Sequence, residues 1–364
     1  MLFFFSACTS NHPLDDFQKQ AAFTFELDPS GISSVPNWQL NKLEAGWRYA
    51  YFHIYENAIK VFDFEKQELL NDIAFLKEGP NGVDNVIDFY LDDDFVLTVS
   101  GQEIVKADYK GTVLERFSNQ RISEAIGQNL MMVVNSNYRF ETSSYDLKNS
   151  RLFMIVRPTE GFFDQSPGMV SIDMQTANIN YIALETPANH QAWRPLKSRL
   201  LLRDYYYPYL DVSEDYLIYN FAGSPDFYLV DLEKVAKKPR LVQRDFAAEM
   251  YLNMEQFNQA PDKLVWFAED NYYFGPIKYD AQKAVFYQVY YHPLQVDPGS
   301  GGKNQKVTLN AWNKQLKPIA TTEIIEPSDG YFRGWCLHQG TILNWDLPDA
   351  ETEVPYIKYV LASE

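Results

Sequence analysis

A short phrase recurs along this chain and constrains its fold more than any other feature. An apolar strand ends on Asp or Asn, a polar turn follows, and a second strand begins. The phrase runs through Ile59-Lys60-Val61-Phe62-Asp63, then Glu103 to Asp108, Met169 to Asp173, Phe227 to Asp231 and, more loosely, Val307 to Asn313. A unit repeated at intervals indicates radial or solenoid architecture, because one such unit cannot bury its apolar face alone. Asp and Asn at strand ends accept hydrogen bonds from nearby backbone N–H groups and so shape the turn. The repeated residues Asp63, Asp108, Asp173, Asp231 and Asn313 are therefore read as structural punctuation, not as one reactive group per unit.

Around these phrases the sequence divides into six units, about 47–75, 86–117, 129–184, 209–242, 272–325 and 331–361. Each carries a lead-in segment, a turn containing Asp, Asn or Gly, a strongly apolar strand and the Asp-ended hairpin. Strands at this density, in sequential four-stranded units, predict an all-β chain folded as a β-propeller of six blades, with seven as the alternative. The 25 Tyr and 25 Phe fit pleated, half-buried surfaces and support strands. An unpaired edge strand invites aggregation, so the alternating stretch Ala22–Leu27 is expected to pair with Tyr356–Leu361 and close the ring. Residues 245–255 are expected to form a short inserted helix, and Pro298–Gly302 a flexible hairpin tip.

A formal charge of −17 disfavours nucleic acid, which is bound by clustered Lys and Arg. Two cysteines occur, Cys8 and Cys336. The apolar run Met1–Phe5, then Ser6-Ala7 and Cys8, is too short to span a bilayer and reads as the end of a secretory signal. Its ending resembles a bacterial lipobox, which implies lipid on Cys8. Residues 1–7 are then a signal remnant, 8–19 a lipid-attached tether and 20–364 the propeller domain. Cys336, in Gly334-Trp335-Cys336-Leu337, is read as a small buried hydrophobe.

Between the first two units lies Lys77-Glu78-Gly79-Pro80-Asn81-Gly82-Val83, leading into Asp88-Phe89. This resembles the Gly-Pro-Gly type loop and following Asp-Phe strand of six-bladed β-propeller lipoproteins of Bacteroidetes that form a domain-of-unknown-function family. Asn81-Gly82 stands where the larger propeller family favours Gly-Glu. The resemblance implies a fold and a cell-envelope location, and it carries no catalytic residues over.

Five histidines, at 12, 53, 190, 292 and 338, form none of the spacings of a zinc site. His53, His292 and His338 fall in different units, but satisfied strand histidines are the favoured reading. Asp92-Asp93-Asp94 lacks the glycine and later acidic ligand of a calcium loop and reads as a solvated turn. No nucleophile elbow, P-loop or dinucleotide fingerprint is present, so no catalytic residue, metal or cofactor is assigned.

Aromatic lead-in segments are the candidate ligand-binding residues: Arg203, Tyr205, Tyr206 and Tyr207 before the fourth unit, Tyr272 and Tyr273 before the fifth, His292, and Arg333 with Trp335 before the sixth. Tyr, Trp and Arg there would give stacking surfaces with polar tips, suited to sugars or peptides. The competing reading is that these rings wedge between blades. The sequence thus points to a lipid-anchored envelope propeller that binds a glycan, a peptide or an envelope protein. A channel-mouth lyase or hydrolase acting on a glycan or small ester is one alternative, and a scaffold subunit is another.

Overall fold

The protein, described from a computed structural model, is built almost wholly of antiparallel strands. The structure describes residues 17–26, 38–134, 141–160, 166–188, 190, 206–213, 215–234, 238–244, 246, 250, 271–296, 303–327, 335–338, 341–345 and 353–361. Cys8, Arg203, Tyr205, Arg333, the hairpin tip at 298–302 and most of the expected 245–255 helix lie outside the described residues.

The first described strand, β1 (Phe17–Glu26), belongs to the last sheet. The first sheet follows with β2 (Trp38–Leu43), β3 (Gly46–His53), β4 (Ala58–Asp63) and β5 (Leu69–Ala74). The second holds β6 (Asp88–Leu91), β7 (Val96–Val99), β8 (Glu103–Ala107) and β9 (Val113–Ser118). Helix α1 (Asn119–Ile126) leads into the third, with β10 (Leu130–Met132), β11 (Ser143–Asp146), β12 (Arg151–Pro158), β13 (Gly168–Asp173) and β14 (Ile179–Ala183). The fourth holds β15 (Pro208–Val212), β16 (Tyr216–Phe221), β17 (Phe227–Asp231) and β18 (Arg240–Val242). The fifth holds β19 (Tyr273–Asp280), β20 (Val285–Tyr291), β21 (Gln295–Val296), β22 (Lys303–Asn313) and β23 (Pro318–Pro327). The last holds β24 (Trp335–His338), β25 (Thr341–Trp345) and β26 (Glu353–Leu361), completed by β1.

Six antiparallel sheets therefore account for the described strands, and their arrangement is that of a propeller. The leading strands sit side by side around an axis. β2 lies against β6 and β24, β11 against β15, and β15 against β19. Tyr90 on β6 hydrogen-bonds Ser143 on β11, and the Lys278 ammonium on β19 stands 5.6 Å from the ring of Trp335 on β24, which completes the circle.

Closure joins the two expected chain segments in a different register: Phe17–Ala21 pairs with Ile357–Leu361, and Thr24–Glu26 with Glu353–Pro355. β1 runs antiparallel to β26 from Phe17↔Leu361 to Glu26↔Glu353, with a register shift between Ala21 and Thr24. The strand begins at Phe17, so the last three residues of the expected tether are strand. The sequence did not announce α1. Ser118 caps its start by accepting from the Arg121 N–H, and Gly127, at φ 75°, ends it in the left-handed conformation.

The recurring Asp does what its turn chemistry requires. Asp63 Oδ1 accepts from the N–H groups of Glu65 and Lys66 at 3.1 and 3.0 Å. Asp108 accepts from Lys110 and Thr112, and Asp173 from Gln175 and Thr176, all at 2.8–2.9 Å. Asp231 accepts from Glu233, and Asn313 from Gln315 and Lys317, at 3.0 Å. These N–H groups favour the ionised form and hold Asp63 and Asp108 below the usual carboxylate range. Each of the five sites ends a strand next to the outermost, so all five turns face one end of the propeller. The connections between consecutive sheets emerge at the other end.

Apolar packing fills the wedges between neighbouring sheets. Val61, Phe89, Val96 and Val105 join the first and second, and Leu97, Phe117, Leu152 and Val170 the second and third. Tyr49 and Phe62 meet Leu343 where the first sheet adjoins the last. Each fully buried side chain of this kind contributes about 1.5–3 kcal/mol relative to exposure.

Two readings of the loops are refined. The Asp92–Asp94 turn is not simply solvated, because Asp92 is buried. Its carboxylate accepts from the hydroxyls of Tyr145 and Ser150, and its carbonyl from Tyr109, which ties the second sheet to the third. The Gly79–Gly82 loop closes through Gly82 N–H to Gly79 O at 2.9 Å, and the Arg116 guanidinium donates to the carbonyls of Pro80 and Gly82. That loop is an inter-sheet connection held from its neighbour.

Candidate functional site: the axial chamber

The circle of leading strands encloses a chamber of about 420 Å³, within the ~300–1,000 Å³ range of small-molecule sites. All six sheets line it. β2 contributes Trp38 and Gln39, and β6 contributes Asp88 and Tyr90. The third sheet offers Ser143 and Tyr145, with Glu141 just before β11. β15 contributes Asp211, β19 Lys278, and β24 Trp335 with Cys336.

Two polar networks divide the wall. In the first, Asp88 is the acceptor. Its Oδ1 receives the Gln39 amide at 3.1 Å and the Phe89 N–H at 2.9 Å. Its Oδ2 receives the Tyr90 hydroxyl at 2.8 Å and the Ser143 hydroxyl at 3.0 Å. Desolvation at this depth pushes the Asp88 carboxyl up to about 6, although these donors and that of Phe89 pull the other way. At Asp88 desolvation is the larger of the two effects.

In the second network the Lys278 ammonium is pinned between two carboxylates. It donates to both oxygens of Glu141, at 3.0 and 2.9 Å, and lies 3.7 Å from Asp211. Burial alone would discharge this lysine, but the two acids outweigh it and raise its pKa above the ordinary lysine value. Asp211 is pushed up to about 7, first by desolvation and then by Glu141, with Lys278 opposing. Burial likewise raises the Cys336 thiol to about 12, so it is protonated at neutral pH and is not a nucleophile.

Among the described candidates drawn from the sequence, Trp335 alone lines this chamber. Tyr206 and Tyr207 are buried, with Tyr206 stacked on His190 at 4.4 Å and edge-on to Tyr207. Tyr273 is buried against Tyr209, their hydroxyls in contact. Tyr272 packs on His292, which bonds the Thr308 hydroxyl at 2.8 Å and whose pKa is lowered to about 4 by burial. Tyr206, Tyr207 and Tyr273 belong to one apolar core cluster, and none of these residues lines the chamber. His53 and His338 are not in the chamber wall either. His338 is flanked by the rings of Trp47 and Phe64. Among the described residues, no group of three or more His, Cys, Asp or Glu side chains is placed to hold a metal ion.

Sequence reasoning missed Gln39, Asp88, Glu141, Asp211 and Lys278. A signal was present in four of them. Each is a polar residue in the first strand of its unit, where neighbours on the strand are apolar or aromatic.

A closed set of radial sheets around a polar axial chamber defines a β-propeller. Within that class the chain belongs to the DUF4221 family, a domain of unknown function, whose sequence profile matches residues 16–320. A DUF4221 member from Bacteroides vulgatus superposes with a TM-score of 0.68 at 15% identity, covering 95% of this chain and 98% of that one. A putative exported protein from Bacteroides fragilis superposes at 0.53 and 9% identity, covering 94% of each chain. At these identities the likeness establishes the fold. No curated protein of known function matches the sequence. Among the described residues, no helix is long and apolar enough to cross a membrane.

Proposed function

We propose that this protein is a lipid-anchored binding module of the cell envelope and that the axial chamber is its ligand seat. Each sheet is then one blade of a six-bladed ring, and the lipid is carried by Cys8. The observation that carries the reading is the chamber itself. Side chains from all six sheets converge on one enclosed space, with Trp38, Tyr90, Tyr145 and Trp335 as apolar walls and amide, hydroxyl and carboxylate groups between them. Stacking rings interleaved with hydrogen-bonding groups suit a sugar or a peptide side chain.

Binding is favoured over turnover because two of the reactive groups are committed. Lys278 is pinned as an ammonium between two carboxylates, and the Cys336 thiol is protonated. One observation favours the alternative of a hydrolase or lyase: Asp211, pushed up to about 7, has the proton affinity of a general acid or base. The envelope location rests on the sequence around Cys8 and accords with the description of the fragilis relative as a putative exported protein. The scaffold reading has one observation behind it: Ile54, Tyr55, Leu69, Leu70 and Leu76 are exposed on or beside the strands of the first sheet, whereas Leu114, Tyr181 and Leu241 fall singly on the outer strands of three others.

The test is a glycan and peptide binding screen on the full-length protein, repeated with Trp38→Ala. A ligand whose binding is lost in this variant without loss of folding supports the chamber as the seat. Binding that Trp38→Ala leaves intact sinks it. Cys8→Ala should release the protein from membranes, and retention would count against the lipid anchor.

A further inference from the structure

Among the described residues the charges of the chamber do not balance. Asp88, Glu141 and Asp211 face it, and Lys278 is the one cation of its described wall that is not exposed, Lys42 being exposed. Lys278 is committed to Glu141 and Asp211 on one side of the axis. Across the chamber, Asp88 receives only neutral donors, and among the described residues no Lys or Arg pairs with it. Asp88 is partly exposed to the chamber and otherwise withdrawn from water, and a carboxylate so placed without a counter-charge is costly.

The Lys278 side shows how this wall accepts a cation. An ammonium sits between two carboxylates with an indole ring, Trp335, 5.6 Å from it. The Asp88 side repeats the ingredients without the ammonium. It has a carboxylate lining the open space, the ring of Tyr145 centred 5.9 Å from that of Tyr90, and Trp38 on the adjoining strand. About 420 Å³ of chamber volume lies before it, which a ligand body can fill.

We propose that the chamber binds a ligand bearing a protonated primary amine, with the ammonium paired to Asp88 and the body of the ligand against Trp38 and Tyr145. This rests on the chamber being the ligand seat and specifies the chemical class that it selects. The ammonium supplies the charge that Gln39, Tyr90 and Ser143 cannot. An amino sugar and the amine of a peptide or lysine side chain share this chemistry.

The pairing is linked to pH. The groups facing Asp88 are Gln39 from β2, Tyr90 from its own strand, Ser143 from β11 and the Glu141 charge beside it. With the Asp88 carboxyl at about 6 before binding, amine affinity is full between that pH and the pKa at which the amine itself loses its proton. It falls by up to about tenfold per unit below the Asp88 value, as the carboxyl must give up its proton for the amine to pair.

The test is isothermal titration of the full-length protein with glucosamine and with lysine amide, each beside its N-acetylated form. Tighter binding of at least one free amine, by about tenfold or more over its acetylated partner, is expected. That preference should vanish in Asp88→Asn. Which amine binds separates sugar from peptide as the source. Acetylated forms that bind as well as the free amines would overturn the proposal, and so would binding by neither amine. An amine preference that persists in Asp88→Asn would overturn it too. Should Asp88→Asn fail to fold, the wild-type affinity for lysine amide, whose side-chain amine stays charged, decides between pH 7 and pH 5, and a flat profile overturns the proposal. A neutral ligand that still binds, and is lost in Trp38→Ala, would leave the chamber as the seat while removing the amine.

Discussion

Replacing Lys278 with Met tests whether the chamber's charges are organised as the geometry indicates. The side chain of Lys278 is 13% exposed, and that of Asp211 is 18% exposed. Removing one partner of a buried ion pair costs about 3–5 kcal/mol, because the other charge is left uncompensated. Two features reduce that figure here. Glu141 is 43% exposed and can turn to water, so its share is at most about 1 kcal/mol. Asp211 already titrates at about 7 and can take up a proton rather than stand as a bare charge.

The expected loss is therefore about 2–3 kcal/mol at pH 8, where Asp211 must be ionised or pay to protonate. At about 2 cal/mol/K of unfolding entropy per residue, that lowers Tm by roughly 3–4 °C for a chain of this length. Without Lys278 the folded-state affinity of Asp211 for its proton rises further above the unfolded value. Such a group stabilises at low pH and loses that contribution as pH rises through its folded pKa. The deficit should thus shrink to under about 1 kcal/mol at pH 5. Thermal unfolding followed by circular dichroism at pH 8 and pH 5, for wild type and variant, measures it. Adding Asp211→Asn to the variant should recover much of the loss at pH 8. A deficit equal at both values, or greater at pH 5, would refute the ion triad.

Three further outcomes are expected. Tyr206→Ala should cost about 3–5 kcal/mol in chemical denaturation, as for other large core rings, and a loss under about 1 kcal/mol would show that the ring is not packed as described. Gly111→Ala should cost about 2 kcal/mol or more by the same measurement, since Gly111 has φ 79° and an added Cβ would lie 2.2 Å from the Ala74 carbonyl oxygen; an unchanged midpoint would contradict that approach. Deleting residues 1–26 removes β1 and leaves β26 as a bare edge, so the thermal transition should move down and association should appear in light scattering; an unchanged, monomeric transition would sink the closure.

What the sequence showed and what it hid follow from the range of the interactions. The Asp-ended hairpin is local: the carboxylate and the N–H groups it binds are two to four residues apart at Asp63 and Asp108, so a single phrase carries the whole interaction. Strand pairing within a sheet is nearly as local, and the division into units tracked it except at the first, which starts at 47 and so leaves out β2 (Trp38–Leu43). The lead-in aromatics misled because a Tyr in a first strand has two places to go. Tyr209 and Tyr273 turn into the wedge between sheets, where their hydroxyls meet, and only the register of the strand decides that. The buried role of Asp92 was hidden for the same reason, since its partner Tyr145 lies 53 residues on, in the next sheet.

The chamber stands at the far end of this scale. Gln39 meets Asp88 across 49 residues, Asp88 meets Ser143 across 55, and Lys278 meets Glu141 across 137. No linear motif can span such separations. Once a chain is known to repeat radially, however, its first strands must share one axis, and the search narrows. A polar residue in a first strand then faces either the axis or a neighbouring sheet, and neutral side chains are cheap in both places. A charged one is cheap in neither, so Asp88, Asp211 and Lys278, each in the first strand of its sheet, are the residues whose retention asks for a reason. Asp211 and Lys278 answer one another. Asp88 has no such answer within the described chain, which is why its partner is sought in a ligand.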